Sequence, residues 1–419
     1  MRSFPPQITP HLRLGWRWPT ALRALRHRNF RLFFFGQLIS VSGTWLQSTA
    51  LQWLVYRITG SQLSLGAVTF ASFLPVLLLS LFMGVVVDRF SRRRILLFTQ
   101  SWFMLIAGVL ALLTYLGVIE YNHIILLAFL LGLATALDMP TRQAFYMDLV
   151  SRDELLNAIA LNSSVFNGAR IIGPALGGLI VGSLGEAPAF ALNAVSFLAV
   201  ILALISMRLL PFTPPEGRES GWTDLKRGLQ HLVGDRRVSG LVAMIALYSL
   251  FGFPYLVLLP ALARDVLKVG PEGFGALMAA QGVGALISAL SLATSGDKRH
   301  KGRQLLINRG LLALALVVLG LTRQWTLSIL ALSVAGFSLI TQLAVTNTLI
   351  QWLIPDEIRG RVISAFTWAL GGFYPLGSLL FGAFGDWLGT SQAIVIAAVS
   401  SAVLSILSRY LFPETLELT

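Results

Sequence analysis

The chain has 419 residues, of which 55% are hydrophobic and 12% charged, and its mean hydropathy is +0.74. A water-soluble domain carries about 25% charged residues, so this composition excludes an ordinary soluble protein and fits a chain whose solvent is lipid. The absence of cysteine excludes disulfides, thiolate chemistry and cysteine zinc sites.

Residues 1–29 read as a basic cytoplasmic tail. Seven arginines fall within residues 1–31 with no long apolar core among them, so no cleavable signal peptide is expected. Trp16 and Trp18 are expected at the headgroup level. A spanning helix needs about 20 mostly apolar residues. Six such runs follow, at 30–57, 63–87, 94–117, 122–141, 158–184 and 187–209, giving an N-terminal half over 30–210. The stretch Leu210-Pro211-Phe212-Thr213-Pro214-Pro215 cannot continue a helix. It opens a cytoplasmic linker, 211–236, in which Trp222, Leu225, Leu229 and Leu232 recur at helical spacing, the pattern of a short amphipathic helix on the membrane surface. Six more runs, at 238–263, 272–295, 303–322, 326–353, 361–388 and 391–412, make a C-terminal half over 237–412, with a cytoplasmic tail at 413–419. The expected fold is therefore an all-α membrane protein of twelve transmembrane helices in two six-helix, pseudo-symmetric halves.

The charges test this count. With the termini inside, 27 of the 32 basic residues fall on the inner side and four (Arg57, Arg264, Lys268 and Arg323) outside, while Arg170 lies within a span. That is the positive-inside distribution, so the net charge of +13 reflects topology and not nucleic-acid binding. The halves also repeat. Residues 149–185 and 353–389 align without gaps at an offset of 204, and Asp88-Arg89 and Arg94 meet Asp297-Lys298 and Arg303 at an offset of 209. Parallel six-helix repeats suit a transporter whose site lies between them.

Between the second and third runs the chain reads Gly84-Val-Val-Val-Asp88-Arg89-Phe-Ser-Arg92-Arg93-Arg94. Gly84 permits close approach of a second helix. Asp88 sits where the membrane ends, within reach of arginines, and such a charge network can be made in one conformation and broken in another. For Arg93 and Arg94 a plain topological anchor is an equal reading. This stretch resembles the loop signature of the major facilitator superfamily, G-x-x-x-D-R-x-G-R-R, with Ser91 at the usual glycine. The fifth run carries Ala169-Arg170-Ile-Ile-Gly173-Pro174-Ala-Leu-Gly177-Gly178. It is similar to the superfamily's exporter signature, with Ala169 at the first glycine. Gly275, Ala279, Ala280 and Gly284 on the eighth run form a small face that could pack against it.

Asp138-Met-Pro140-Thr-Arg142 is expected at the inner end of the fourth helix. The resemblance implies a charge relay in which Asp88 and Asp138 engage Arg92 and other basic groups, including Arg89, Arg93 and Arg142. The alternative is a solvated helix-end turn. Ala128 stands where the superfamily's drug/proton antiporters often carry an arginine. That leaves Arg170 as the expected single deep basic residue and the coupling candidate, with capping by Asn162 or Asn167 as its structural alternative. No acidic residue is expected at mid-membrane depth.

The stretches His27-Arg-Asn-Phe-Arg-Leu, Ala169-Arg170-Ile-Ile-Gly173-Pro174 and Pro355-Asp-Glu-Ile-Arg-Gly-Arg361-Val-Ile-Ser resemble the enterobactin-exporter and macrolide-efflux group of the superfamily. The resemblance implies a central cavity lined by helices 1, 4, 7 and 10. Gln37, Ser40, Thr44, Gln47 and Ser48 on the first helix are polar at helical spacing, and a polar stripe must face protein or water. Tyr248, Phe251 and Tyr255 on the seventh helix and Gln342, Thr346 and Asn347 on the tenth complete the candidate cavity.

The expected function is secondary active export of small amphipathic or aromatic molecules (a siderophore, drug or metabolite) by alternating access, with protons as coupling ion. The expected setting is the cell membrane, with both termini cytoplasmic and a monomer as the working unit. An importer of a small polar solute, or a non-transporting membrane sensor, are the alternatives. No enzyme is expected, since no acid, base or metal cluster gathers near one face and no G-x-x-x-x-G-K-[ST] loop occurs. The five histidines are scattered, so neither a metal nor a cofactor is implied.

Overall fold

A computed structural model describes residues 20–209, 235–294 and 301–411. The amphipathic linker helix, Trp16, Trp18 and the Asp297-Lys298 copy of the loop signature lie outside the described residues. Among those described, the chain forms helices and no strands. They are α1 (Arg28–Thr59), α2 (Gln62–Arg89), α3 (Arg92–Tyr115), α4 (Tyr121–Leu149), α5 (Leu155–Leu184), α6 (Glu186–Ser206), α7 (Arg236–Phe251), α8 (Pro271–Thr294), α9 (Lys301–Leu321), α10 (Trp325–Leu353), α11 (Asp356–Leu388) and α12 (Thr390–Leu411).

Ten helical stretches among the described residues are long and apolar enough to cross a membrane. α1 and α11, with 32 and 33 residues, stand outside that set. α1 carries polar Gln37, Ser40, Gln47 and Thr49, and buries all four inside the bundle. Outward-facing Leu78, Phe98, Leu105, Leu126, Leu202 and Leu314 form the surface that a bilayer would solvate.

Three boundaries differ from the sequence reading, each for a local reason. α4 runs through Pro140 to Leu149, because a proline in a membrane helix is tolerated where neighbours satisfy the freed carbonyl. Thr141 also sends its hydroxyl back to the Leu137 carbonyl at 2.7 Å. Asp138 and Arg142 therefore sit within a helix and not in a helix-end turn. α5 starts at Leu155, which places Arg170 midway along it, about 22 Å from either end at 1.5 Å per residue. The seventh helix is broken. After Phe251 the chain passes through a tight turn at Pro254–Leu258 before a short stretch to Val266. Pro254 and Pro260 lack the N–H groups that a continuous helix needs.

The two halves have the same internal packing. In the first, α1 lies against α5 and α6, α2 against α4, and α3 against α4 and α6; in the second, α7 lies against α11 and α12, α8 against α10, and α9 against α10 and α12. Across the halves, α2 packs on α11 and α5 on α8. The crossing of α5 and α8 is made by glycines. A β-carbon at Gly178 would stand 2.9 Å from Gly275 Cα, and one at Gly275 would stand 2.8 Å from Gly178 Cα. Gly173 and Gly177 face α1 instead, 2.9 Å by the same measure from the Ser42 and Leu46 carbonyls. Gly284 turns to α10, against Phe337, so only part of the small face on α8 meets α5. Pro174 lends its carbonyl to the Gly275 approach, at 2.5 Å from that β-carbon position.

Candidate functional site

The chain alternates direction, so its helix ends gather at two faces. One face, here the basic end, holds the helix ends at Ser206 and Arg236 and the loops at 89–92 and 149–155. The far end holds those at 59–62, 115–121, 184–186, 266–271 and 388–390.

Deep between α1, α3 and α4 lies a charged node. Asp138 is 2% exposed. Its carboxylate accepts from the Thr99 hydroxyl and the Gln100 amide, both at 2.8 Å. It also pairs with Arg142 one turn along α4. Arg142 donates in turn to Gln37 Oε1 on α1 at 2.8 Å. Asp138 is only three residues past the centre of α4.

Of the implied relay the Asp138–Arg142 pair is present, and the basic loop has further partners. Arg92 Nη1 pairs with Asp148 at 2.6 Å and Arg93 donates to the Ile205 carbonyl at 2.8 Å. Both partners belong to the N-terminal half. Asp88 is half-buried and Arg89 exposed, and Asp138 engages Arg142, Thr99 and Gln100. Gly84 has no atom of the described residues within 4 Å of its β-carbon position, so the close helix approach expected there is not made in this conformation. A partner set that the sequence reading missed ties the same end together: Glu154 pairs with Arg26 at 2.7 Å and with His27.

Between the halves is a cavity of roughly 350 Å³ lined from α1, α2, α5, α8, α10, α11 and the break after α7. Arg170 reaches it from α5, and Trp45, Ser48, Gln52, Gln281 and Tyr374 supply much of the remaining polar and aromatic surface. The guanidinium lies over the Trp45 ring, 5.3 Å from its centroid. Its Nη1 is buried with no hydrogen-bond partner among the described residues. Neither Asn162 nor Asn167 caps it: Asn162 accepts from Tyr146, and Asn167 donates to the Ser163 carbonyl at 2.8 Å.

A second cavity, of roughly 390 Å³, lies inside the N-terminal half and is bounded by Ser40, Thr44, Gln47, Asp138 and Arg142. Ser40, Thr44 and Gln47 of the α1 stripe thus face this space, Ser48 faces the central cavity, and Gln47 is tied to Asn193 Nδ2 at 2.8 Å. On α7, Tyr248 is fully buried and donates to the Ser401 carbonyl at 2.9 Å. Phe251 is half-buried, and Tyr255 is fully buried beside Arg170. Gln342 accepts from Arg309 Nε at 3.4 Å. Thr346 and Asn347 each carry a buried oxygen without a hydrogen-bond partner among the described residues.

Arg309 corrects the view that Arg170 is the single deep basic residue. It is 2% exposed within α9 and lies 5.4 Å from the Tyr248 ring centroid. The repeat offset of 209 sets it opposite Gln100, and that register was the signal available in the sequence.

At the far end the halves are latched. Asp386 of α11 caps the start of α2, accepting from Gln62 N at 2.6 Å, Leu63 N at 3.2 Å and the Ser61 hydroxyl at 2.5 Å. Gln62 Nε2 donates to Thr390 at 3.0 Å. Tyr56 donates to Asp265, Arg264 covers the Tyr56 ring at 5.6 Å, and Trp53 stacks on Phe274 at 6.0 Å. Near the basic end of α2, Gly84 has no described atom within 4 Å of its β-carbon position, and the same holds for Gly168 and Gly371 at the middle of α5 and α11.

Two helical halves with the same internal packing around a shared cavity, latched at one end, define a transporter of the major facilitator type. The family model for transmembrane secretion effectors matches residues 19–417, and the chain belongs to that family. It is similar to the staphyloferrin A transporter of Staphylococcus aureus, 26% identical over 91% of this chain and 96% of that protein. It is similar to the multidrug efflux pump Tap of Mycolicibacterium fortuitum, 25% identical over 91% and 95%. The enterobactin exporter EntS of Shigella boydii is 28% identical over 84% of both chains. In fold it matches a bacterial homolog of the human lysosomal transporter Spinster, with TM-score 0.72 and 14% identity over 96% of this chain and 99% of that one. A bacterial homologue of the iron transporter ferroportin matches with TM-score 0.71 and 17% identity over 93% and 98%. The chain is thus a multi-pass membrane transporter of small molecules, and not an enzyme.

Proposed function

We propose that this transporter exports amphipathic or aromatic small molecules across the cell membrane by alternating access, working as a monomer with its basic end and both termini in the cytoplasm. The observation that carries the reading is the one-sided latch. Among the described residues, hydrogen bonds between the halves cluster at the far end, while Gly84 near the basic end of α2 and Gly168 and Gly371 at the middle of α5 and α11 face open space. On the proposed orientation this is the state that loads from the cytoplasm, as an exporter must. The similar proteins named for siderophore export and drug efflux support the direction.

Asp138 carries the coupling proton in this reading. Protonating a carboxylate removes the charge that holds Arg142, and Arg142 is the link from α4 to Gln37 on α1. A proton taken up there loosens a contact between two helices that line the N-terminal cavity. Asp88, Arg89, Arg92 and Arg93 form the inner gate, assembled when the basic end closes.

The test uses inverted membrane vesicles and a panel of fluorescent aromatic dyes. An acid interior should drive dye accumulation, and a protonophore should abolish it. Asp138→Asn should keep dye exchange but lose the response to the gradient. Accumulation that ignores the gradient in the parent protein would reject proton coupling. Uptake by intact cells in place of inverted vesicles would turn the reading to an importer.

A further inference from the structure

Arg170 and the Asp138–Arg142 pair are both charged groups deep in the bundle, and the protein treats them in opposite ways. Asp138 has three donors on its carboxylate. Arg170 has none of its charge returned by an acid: among the residues lining the central cavity it is the charged one, and its Nη1 has no hydrogen-bond partner among the described residues. A guanidinium carries five N–H donors, and the Trp45 face offset by 5.3 Å satisfies charge but not those donors. Insertion scales put an arginine at mid-bilayer at about 2.5–3.5 kcal/mol, so an unpaired one is retained against a cost. Arginine also keeps its proton at any physiological pH, which disqualifies it as a proton carrier and makes it a fixed positive charge.

We propose that Arg170 is the anion-recognition residue of the central cavity, and that the transported molecule carries an anionic oxygen group, a carboxylate or phenolate, on an aromatic or apolar frame. The proposal rests on the export reading for the word transported, and the binding site stands without it. The frame is indicated by the cavity's other walls. Trp45 stands beside the guanidinium, and Phe73 meets Tyr374 edge-on across the halves at 5.8 Å. Gln52 and Gln281 offer neutral amides to the remaining polar atoms. A volume of roughly 350 Å³ suits a fused-ring acid and is at the lower end of ordinary ligand pockets, about 300–1,000 Å³. The guanidinium fork binds a planar carboxylate through two parallel N–H donors. Because Arg170 lies on α5, beside its crossing with α8 at Gly282, an anion bound there touches the interface along which the halves must move.

The purified protein in lipid nanodiscs is titrated with 7-methoxycoumarin-3-carboxylate and with its carboxamide, read by fluorescence anisotropy. The two probes share shape and differ in charge. The carboxylate should bind at least tenfold more tightly. Arg170→Gln should reduce that ratio to about one, and Arg170→Lys should keep part of it. Melting temperatures of both variants report folding. If Arg170→Gln fails to fold, Trp45→Leu, which removes the ring beside the guanidinium, should weaken the carboxylate more than the carboxamide. Equal binding of the two probes, no binding of either, or a preference that survives Arg170→Gln overturns the proposal. A protein that binds the carboxylate selectively yet moves neither probe in vesicles keeps this site and loses the export reading. A protein that moves neutral dyes but shows no charge preference loses only the site.

Discussion

The two ends of this molecule are built from the same helices and hold together in different ways. At the far end α2 meets α11 and α5 meets α8 through polar caps and glycine contacts, so the halves are joined backbone to backbone. At the basic end Arg26 and His27 pair with Glu154, Arg92 with Asp148 and Arg93 with Ile205 within the N-terminal half, and Arg237 pairs with Asp235 within the C-terminal half. A transporter that rocks two rigid halves needs this asymmetry. Contacts within a half survive the motion, whereas contacts between halves must be exchanged from one end to the other. Charge at the basic end therefore serves two purposes. It holds each half rigid in this state and supplies partners for the other.

The largest expected effects come from crowding α5 toward its far end and at its middle. Gly178 is 2.9 Å from Gly275 by its β-carbon position, and Gly168 has nothing within 4 Å. Gly178→Leu should wedge the far end open, because overpacking costs about 1–3 kcal/mol or more and helix backbones cannot yield as side chains do. Gly168→Leu should leave this state intact and obstruct closure of the basic end. Both should abolish transport, with opposite conformational signatures. The cysteine-free chain accepts spin-label pairs at each end without background, and the inter-half distances should lengthen at the far end for the first variant. Identical distance distributions for the two would break the comparison.

Asp386→Asn asks how much of the latch is charge. The carboxylate accepts three hydrogen bonds at the positive end of α2, and hydrogen bonds to charged groups are worth about 1.5–3 kcal/mol. Neutralising it should shift the equilibrium toward the opposite state by roughly tenfold, which corresponds to about 1.4 kcal/mol. Far-end label distances that stay unchanged would show that the glycine packing alone holds the latch. Asp88→Asn probes the other end. It should preserve the state described here, deplete the opposite one and slow turnover severalfold, while binding from the basic side survives. Unchanged turnover and unchanged distances would reduce the loop to a topological anchor.

Much of the architecture was readable from composition. The hydropathy runs at 63–87 and 272–295 lie within two residues of α2 and α8, because lipid imposes length and polarity together. The exporter glycines were also readable, since only small residues permit Gly178 and Gly275 to meet. What escaped was anything set by which way a helix turns. Arg309 was counted with the inner charges because Lys301 and Arg303 precede it, but α9 rotates it into the bundle against Gln342 and Tyr248. The stripe on α1 was legible as polar, yet not its destination. Gln47 bonds to Asn193, and the cavity shared by the halves takes only Ser48 of the stripe, with Trp45 and Gln52 from the adjoining face. The far-end latch joins residues more than 200 positions apart, and no local pattern announces that Asp386 caps a helix beginning at Gln62.

The smallest effect separates stability from conformational choice. Asp235 caps α7 at the basic end, its carboxylate accepting from Arg237 N at 2.8 Å. Burial alone would raise its pKa, but the backbone N–H and guanidinium of Arg237 outweigh that and hold the carboxyl below the usual carboxylate range. A carboxyl whose folded pKa is depressed contributes stability above its unfolded value, about 3.9, and loses it as pH falls through the folded value. Asp235→Ala should therefore lower stability at neutral pH by about 1 kcal/mol, as the loss of an N-cap does. As pH falls through the folded value, the parent and variant should converge. The cap lies wholly within the C-terminal half, so label distances at both ends should not move, in contrast to Asp386→Asn. A shift in those distances with Asp235→Ala would mean that the halves do not move as rigid bodies, and the distinction between contacts within and between halves would fail.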